Sequence, residues 1–191
     1  AEKLAATPLR NFWISIDSSA PATHEQMRGF PGLIKGIEKA LPVFHEFGLY
    51  PTENLGLNRN LGGQAASILT HGIQSKQDMD EFIGCVCSGL DSFFKLVTSL
   101  GFSIVNFCYP MSADDSSDLN AVYAATSPER IVNFRREEKY GLFTAMLQTI
   151  PKFRNTVRIF SPLSAIYTMQ QTYNSTPDSA FSPFPCKGGL D

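Results

Sequence analysis

Cysteine is scarce in this 191-residue sequence, and no two cysteines are spaced as CxxC or set within a CxxxCxxC run. The four are Cys85, Cys87, Cys108 and Cys186. So low a density argues against a disulfide-stapled secreted scaffold. The first three read as small buried apolar residues in a reducing, cytoplasmic setting. Cys85 and Cys87 lie two apart on an expected helix, about 200° around its axis, so one metal takes both only if the helix unwinds. The three histidines, His24, His45 and His71, form no HxH or HExxH pattern, which argues against a mononuclear histidine metal site. No GxSxG elbow or P-loop is present, and NLGGQ is too short for a dinucleotide fingerprint. Dense basic runs are missing as well. With 16 Lys and Arg against 18 Asp and Glu, no nucleic-acid partner is expected. Apolar stretches break at Gly, Pro or polar residues before the roughly 18 residues of a membrane span, so no membrane partner is expected either. The opening AEKLAATPLR has no apolar signal core and no initiator Met, and the chain reads as a fragment.

What is present suits a single domain with a tail: 43% hydrophobic and 18% charged residues, with length enough to bury roughly 70% of the unfolded surface. Strand and helix patterns alternate. FWISID (12–17) is a strand with Phe12, Ile14 and Ile16 on one side and Ser15 and Asp17 on the other. A loop through HEQMRG follows, then a helix over 31–47 with a kink expected at Pro42 and a stop at Gly48. LYPTENLGLNR (49–59) is a second strand, and a short helix is expected over 63–71. A long helix over 77–100 carries Phe82, Val86, Leu90, Phe93, Val97 and Leu100 at helical spacing. GFSIVNFCYP (101–110) is a third strand. A polar loop (111–118), a short helix near 119–125 and a helix from Ser127 to Ile150 follow. TVRIF (156–160) is the last strand and a helix over 162–172 closes the domain. Strands separated by helices imply parallel pairing through right-handed crossovers. A full eight-fold barrel needs about 250 residues, so this α/β chain holds roughly half of one, or a small open sheet.

Ligands in parallel α/β folds bind at the carboxyl ends of strands. That rule selects the 18–29 loop, residues 54–59, residues 106–111, and Ser15 and Asp17, where a hydroxyl and a carboxylate suit a ribose or an amino group, or else Asp17 and Ser18 cap the turn. Arg28 is placed to clamp a carboxylate, or to pair with Glu25 or Asp17. Asn54, Asn58 and Arg59 supply amide and guanidinium donors at the next strand end, or are plain loop residues.

The string WISIDSSAPATHEQMRGFPGLIKGIEKAL resembles the fourth-strand region of radical S-adenosylmethionine (SAM) proteins, through Ser15, Asp17, His24, Glu25, Arg28, Gly29 and Gly32. LVTSLGFSIVNFCYP resembles the sixth strand and TVRIF the seventh. FPCKGG resembles the opening of the C-terminal extension called SPASM or twitch. The resemblance implies a partial (β/α) barrel of parallel strands with outer helices, about half of a TIM-like barrel, over residues 1–172. Residues 173–191 would be an irregular tail that opens a cysteine-containing extension. It implies a parent enzyme in which a [4Fe–4S] cluster and SAM generate a 5′-deoxyadenosyl radical for hydrogen abstraction, with a flavodoxin or ferredoxin as electron donor. By position, Ser15, Asp17, Arg28, Asn54, Asn58 and Arg59 would contact SAM, and Cys186 would ligate an auxiliary cluster. The CxxxCxxC cluster loop is not in this sequence, so the chain alone is expected to be inactive. A cofactor-free (β/α) barrel enzyme and a non-catalytic α/β binding module are the alternatives. An incomplete barrel would leave strand edges and an apolar inner face open, and self-association is expected.

Overall fold

The computed structural model describes residues 1–9, 11–63, 71–109 and 131–174. Four short strands, β1 (Trp13–Ser15), β2 (Thr52–Gly56), β3 (Ile104–Cys108) and β4 (Arg158–Ile159), form one parallel sheet in the order β1-β2-β3-β4. The helices are α1 (Glu2–Ala5), α2 (Pro21–Arg28), α3 (Leu33–Glu46), α4 (Lys76–Leu100), α5 (Arg136–Phe153) and α6 (Leu163–Asn174).

Parallel strands that neighbour one another in chain order gather their connecting helices on one face of the sheet when the crossovers share one hand. The core agrees with this. Ile16, Leu55, Val105, Phe107 and Ile159 alternate onto a face shared with Ile34, Ile37 and Leu41 of α3, Leu90, Phe93, Phe94 and Val97 of α4, and Leu142, Met146 and Ile150 of α5. Phe94 is fully buried, stacks on Phe153 at 4.6 Å between centroids and meets Phe107 edge-on at 6.0 Å. The other face was expected to be apolar. Its middle row is instead polar, because the register Ser15↔Asn54↔Asn106 places one hydroxyl and two amides side by side. Trp13, 59% exposed, lies on the same face toward the amino end.

Local signals account for α4. Ser75 Oγ accepts from Asp78 N–H at 3.1 Å, Asp78 Oδ2 accepts from Ser75 N–H at 2.9 Å, and Gly101 ends the helix at φ 103°, a reciprocal cap followed by a left-handed stop. By length and composition α4 passes the test for a membrane-crossing helix, a span the sequence reading did not expect. Its apolar stripe is committed to the sheet and α5.

Four expectations about the helices change. Residues 21–28 form α2 rather than a loop: Pro21 starts it and Gly29 stops it in the left-handed region at φ 65°. The next helix begins at Leu33, not Pro31, because Gly32 sits at φ 79°, and it continues through Pro42 to Glu46. The helix expected from Ser127 begins at Arg136, since residues 131–135 are irregular and Glu138 Oε2 accepts the Arg135 N–H at 2.6 Å to set the first turn there. The last helix runs to Asn174, past the expected boundary at 172. The helices expected over 63–71 and 119–125, the 111–118 loop, and Cys186 with its tail fall wholly or mainly outside the described residues.

Candidate functional site

β1 and β2 separate just beyond their last paired residues, Ser15 and Asn54. Asp17 sits in that opening. Its Oδ1 accepts the Gly56 N–H at 3.2 Å and its Oδ2 lies 2.5 Å from an Arg28 guanidinium nitrogen. A Cβ at Gly56 would come within 3.1 Å of Asp17 Oδ1, so glycine leaves room for the carboxylate. Asn58 bridges the gap by donating from Nδ2 to the carbonyls of Asp17 and Gly56, both at 2.7 Å, while its Oδ1 accepts from Asn60 N–H at 2.7 Å. Ser18 Oγ donates to the Asn60 carbonyl at 2.7 Å and accepts from Ala20 N–H at 3.2 Å. The turn after β1 is thereby fastened to the turn after β2.

Helix α2 lies over this junction and divides the HEQMRG residues among three tasks. His24 is fully buried and its Nδ1 accepts the Asp17 N–H at 3.1 Å. The imidazole proton therefore belongs on Nε2, which has no partner among the described residues. Burial lowers the His24 pKa, and the neighbouring Asp17 carboxylate opposes that shift only in part. Glu25 turns to α3, accepting the N–H groups of Gly32 at 2.8 Å and Ile34 at 3.1 Å. Those two backbone donors hold its carboxyl below the usual range. Arg28 brings its guanidinium to the Asp17 carboxylate at the strand end.

A second polar group lines the sheet beside Asp17. Asn106 Nδ2 donates to Asn54 Oδ1 at 2.8 Å, and Asn54 Nδ2 lies 3.3 Å from the sulfur of the exposed Cys108. Ser15 precedes Asn54 in the same row. Of the six residues selected from the sequence, five collect at the carboxyl ends of β1 and β2: Ser15, Asp17, Arg28, Asn54 and Asn58. Arg59 is engaged elsewhere. It pairs with the buried Glu138 at 2.7 Å, donates to the Asn133 carbonyl at 2.8 Å and lies 4.7 Å from the Phe134 ring centre, which ties the β2 turn to the start of α5.

Asn106 and Cys108, within the 106–111 stretch that the strand-end rule selects, belong to this region as well, and so does Glu53, which was not selected. Strand parity supports the first two, since Asn106 and Cys108 alternate with the buried Val105 and Phe107, whereas Glu53 is placed in the core by its register with Val105. No group of three or more His, Cys, Asp or Glu side chains able to hold a metal occurs among the described residues. Cys87 points between helices, toward the Ala145 carbonyl of α5 at 3.8 Å. The site is suited to recognising a polar, partly charged small molecule: a carboxylate paired with an exposed-edge guanidinium stands beside a row of amide donors and acceptors. No family model, curated protein or solved structure matches the chain.

Proposed function

We propose that this chain is the C-terminal part of a radical SAM barrel and that the carboxyl ends of β1 and β2 cradle SAM. The observation that carries this reading is the gathering of Ser15, Asp17, Arg28, Asn54 and Asn58 at two adjacent parallel strand ends. The one-sided placement of the helices supports a barrel, since a sheet wound in one sense buries its second face by closing on itself. SAM carries a ribose diol, an ammonium and a carboxylate. The Asp17 carboxylate suits the hydroxyls or the ammonium, Arg28 suits the carboxylate, and the Asn54–Asn106 amides suit either class of partner.

In the parent enzyme, cluster-bound SAM supplies the radical that takes hydrogen from a substrate. The described residues do not fit the cluster itself, because Cys85, Cys87 and Cys108 do not converge. The part played by this chain is to bind and orient. Asp17 is fixed from three sides by Gly56, Arg28 and the His24-anchored turn, so little side-chain freedom remains to be lost on binding.

Calorimetric titration of the chain with SAM and with S-adenosylhomocysteine tests the reading. Saturable heat with both, weakened about tenfold or more by Asp17→Asn through loss of a charge-assisted contact, is expected. A chain extended upstream to include a CxxxCxxC loop, reconstituted with iron and sulfide, is expected to form 5′-deoxyadenosine. Flat titrations together with an upstream reading frame lacking that loop would overturn the proposal.

A further inference from the structure

The next rung of the β1–β2 ladder, had the strands stayed together, would use the N–H groups of Ile16 and Gly56. Each is met by a side-chain carboxyl. Gly56 donates to Asp17 Oδ1 at 3.2 Å and Ile16 donates to Glu53 Oε1 at 3.3 Å. The two carboxyls come from opposite faces. Asp17 lies on the Gly56 side of the sheet. Glu53 is in register with Ile14 and Val105, whose side chains join the core. Glu53 is 0% exposed, and its Oε2 has no partner among the described residues.

We propose that Glu53 is a positioning residue of the strand-end site: its carboxyl, reaching from β2, takes the Ile16 N–H in place of a β2 backbone carbonyl and so presents the adjoining Asp17 carboxylate, with Arg28, to a bound ligand. Burial raises the Glu53 pKa well above the usual carboxyl range; the Ile16 N–H opposes that shift only in part, and nearby Asp17 and Cys108 reinforce it. The other ionisable groups at the junction are His24 and Arg28, whereas the buried side chains of α3 and α4 are apolar. Neutral Glu53 accepts the Ile16 N–H without placing a second negative charge beside Asp17. Ionised, it would set two carboxylates across one strand opening, with one of them desolvated. The identity of the ligand rests on the SAM reading, while the clasp does not.

Amide hydrogen exchange on the full 191-residue chain, followed residue by residue by NMR, tests the clasp without ligand. Glu53→Gln keeps a neutral carbonyl acceptor and is expected to retain wild-type protection at Ile16 and Gly56. Glu53→Leu is expected to lower protection at Ile16 by about tenfold or more, through loss of a buried hydrogen bond, and to weaken SAM affinity by a similar factor. After correction for intrinsic base catalysis, wild-type protection at Ile16 should fall on raising pH, and that of Glu53→Gln should stay flat. Wild-type protection at Ile16 in Glu53→Leu, or identical pH profiles for wild type and Glu53→Gln, would overturn the proposal. Should Glu53→Leu not fold, the two pH profiles decide. Should SAM give no heat with the wild type, that result counts against the SAM reading and the exchange data alone judge the clasp.

Discussion

Replacing Glu53 by Gln should change how stability depends on pH, and the sign follows from burial. In the unfolded chain a glutamate ionises near 4.5, whereas in the fold the Glu53 carboxyl is raised well above that value, chiefly by desolvation. A group whose folded pKa is raised contributes stability that is fully present below the unfolded pKa and is lost as pH rises through the folded one. Each pH unit inside that window costs about 1.4 kcal/mol. One such unit is already a sizeable part of the roughly 5–15 kcal/mol that holds a domain together. The amide of the Glu53→Gln variant has nothing to titrate. Urea melts of both proteins at pH steps upward from about 4.5 should show the variant gaining on the wild type at each step, until Glu53 ionises in the fold. At 2–4 °C per kcal/mol for a domain near this size, each pH unit inside that window should separate the thermal melts by roughly 3–6 °C. Every other ionisable group is shared, including His24, whose lowered pKa works in the opposite sense by removing stability as pH falls. The difference between the two proteins isolates Glu53 to first order. Parallel stability curves across this range would refute the reasoning, because they would mean that Glu53 is ionised and solvated in the folded protein.

Other perturbations test the packing and the surroundings of the site. Arg59→Met strips the buried Glu138 of its ion-pair partner and should cost about 3–5 kcal/mol in urea denaturation; adding Glu138→Gln should restore much of that loss. Two glycine-to-alanine changes should have opposite signs. A Cβ at Gly141 would meet Phe82 at 2.9 Å and Met79 Sδ at 3.0 Å, so overpacking of about 1–3 kcal/mol outweighs the helix-propensity gain of about 1 kcal/mol. Gly36, inside α3 with nothing within 4 Å of its would-be Cβ, should stabilise by about 0.5–1 kcal/mol as Ala. Iodoacetamide at neutral pH should label exposed Cys108 before Cys85, whose thiol burial pushes up and Glu81 pushes further. Peptide mapping reads out the order, and preferential modification of Cys85 would contradict the arrangement.

How far the sequence disclosed this structure depended on the range of the deciding interaction. The ends of α4 were readable because Ser75, Asp78 and Gly101 act within a turn of the positions they define. The start of α5 was misread because Ser127-Pro128-Glu129 is a strong local signal. The observed start also answers to Arg59, 79 residues away in the chain from the Glu138 it binds. Helix α2 was overlooked in spite of Pro21 and Gly29, since its short polar run has no apolar stripe, and it is held in place instead by His24 and Arg28 against the β1 end. The same distinction applies at the site. Asp17 and Arg28 lie close in sequence, and the rule that ligands sit at strand ends selected them both. Glu53 lay between Thr52 and Asn54 in a stretch with little alternation, where a carboxylate reads as surface. Only the register with Val105 turns it into the core, and only the separation of β1 from β2 gives it the Ile16 amide to hold. A buried acid of this kind becomes visible when tertiary pairing decides which face of a strand is dry. For that reason the residue proposed to position the site was the one that strand periodicity alone left unmarked.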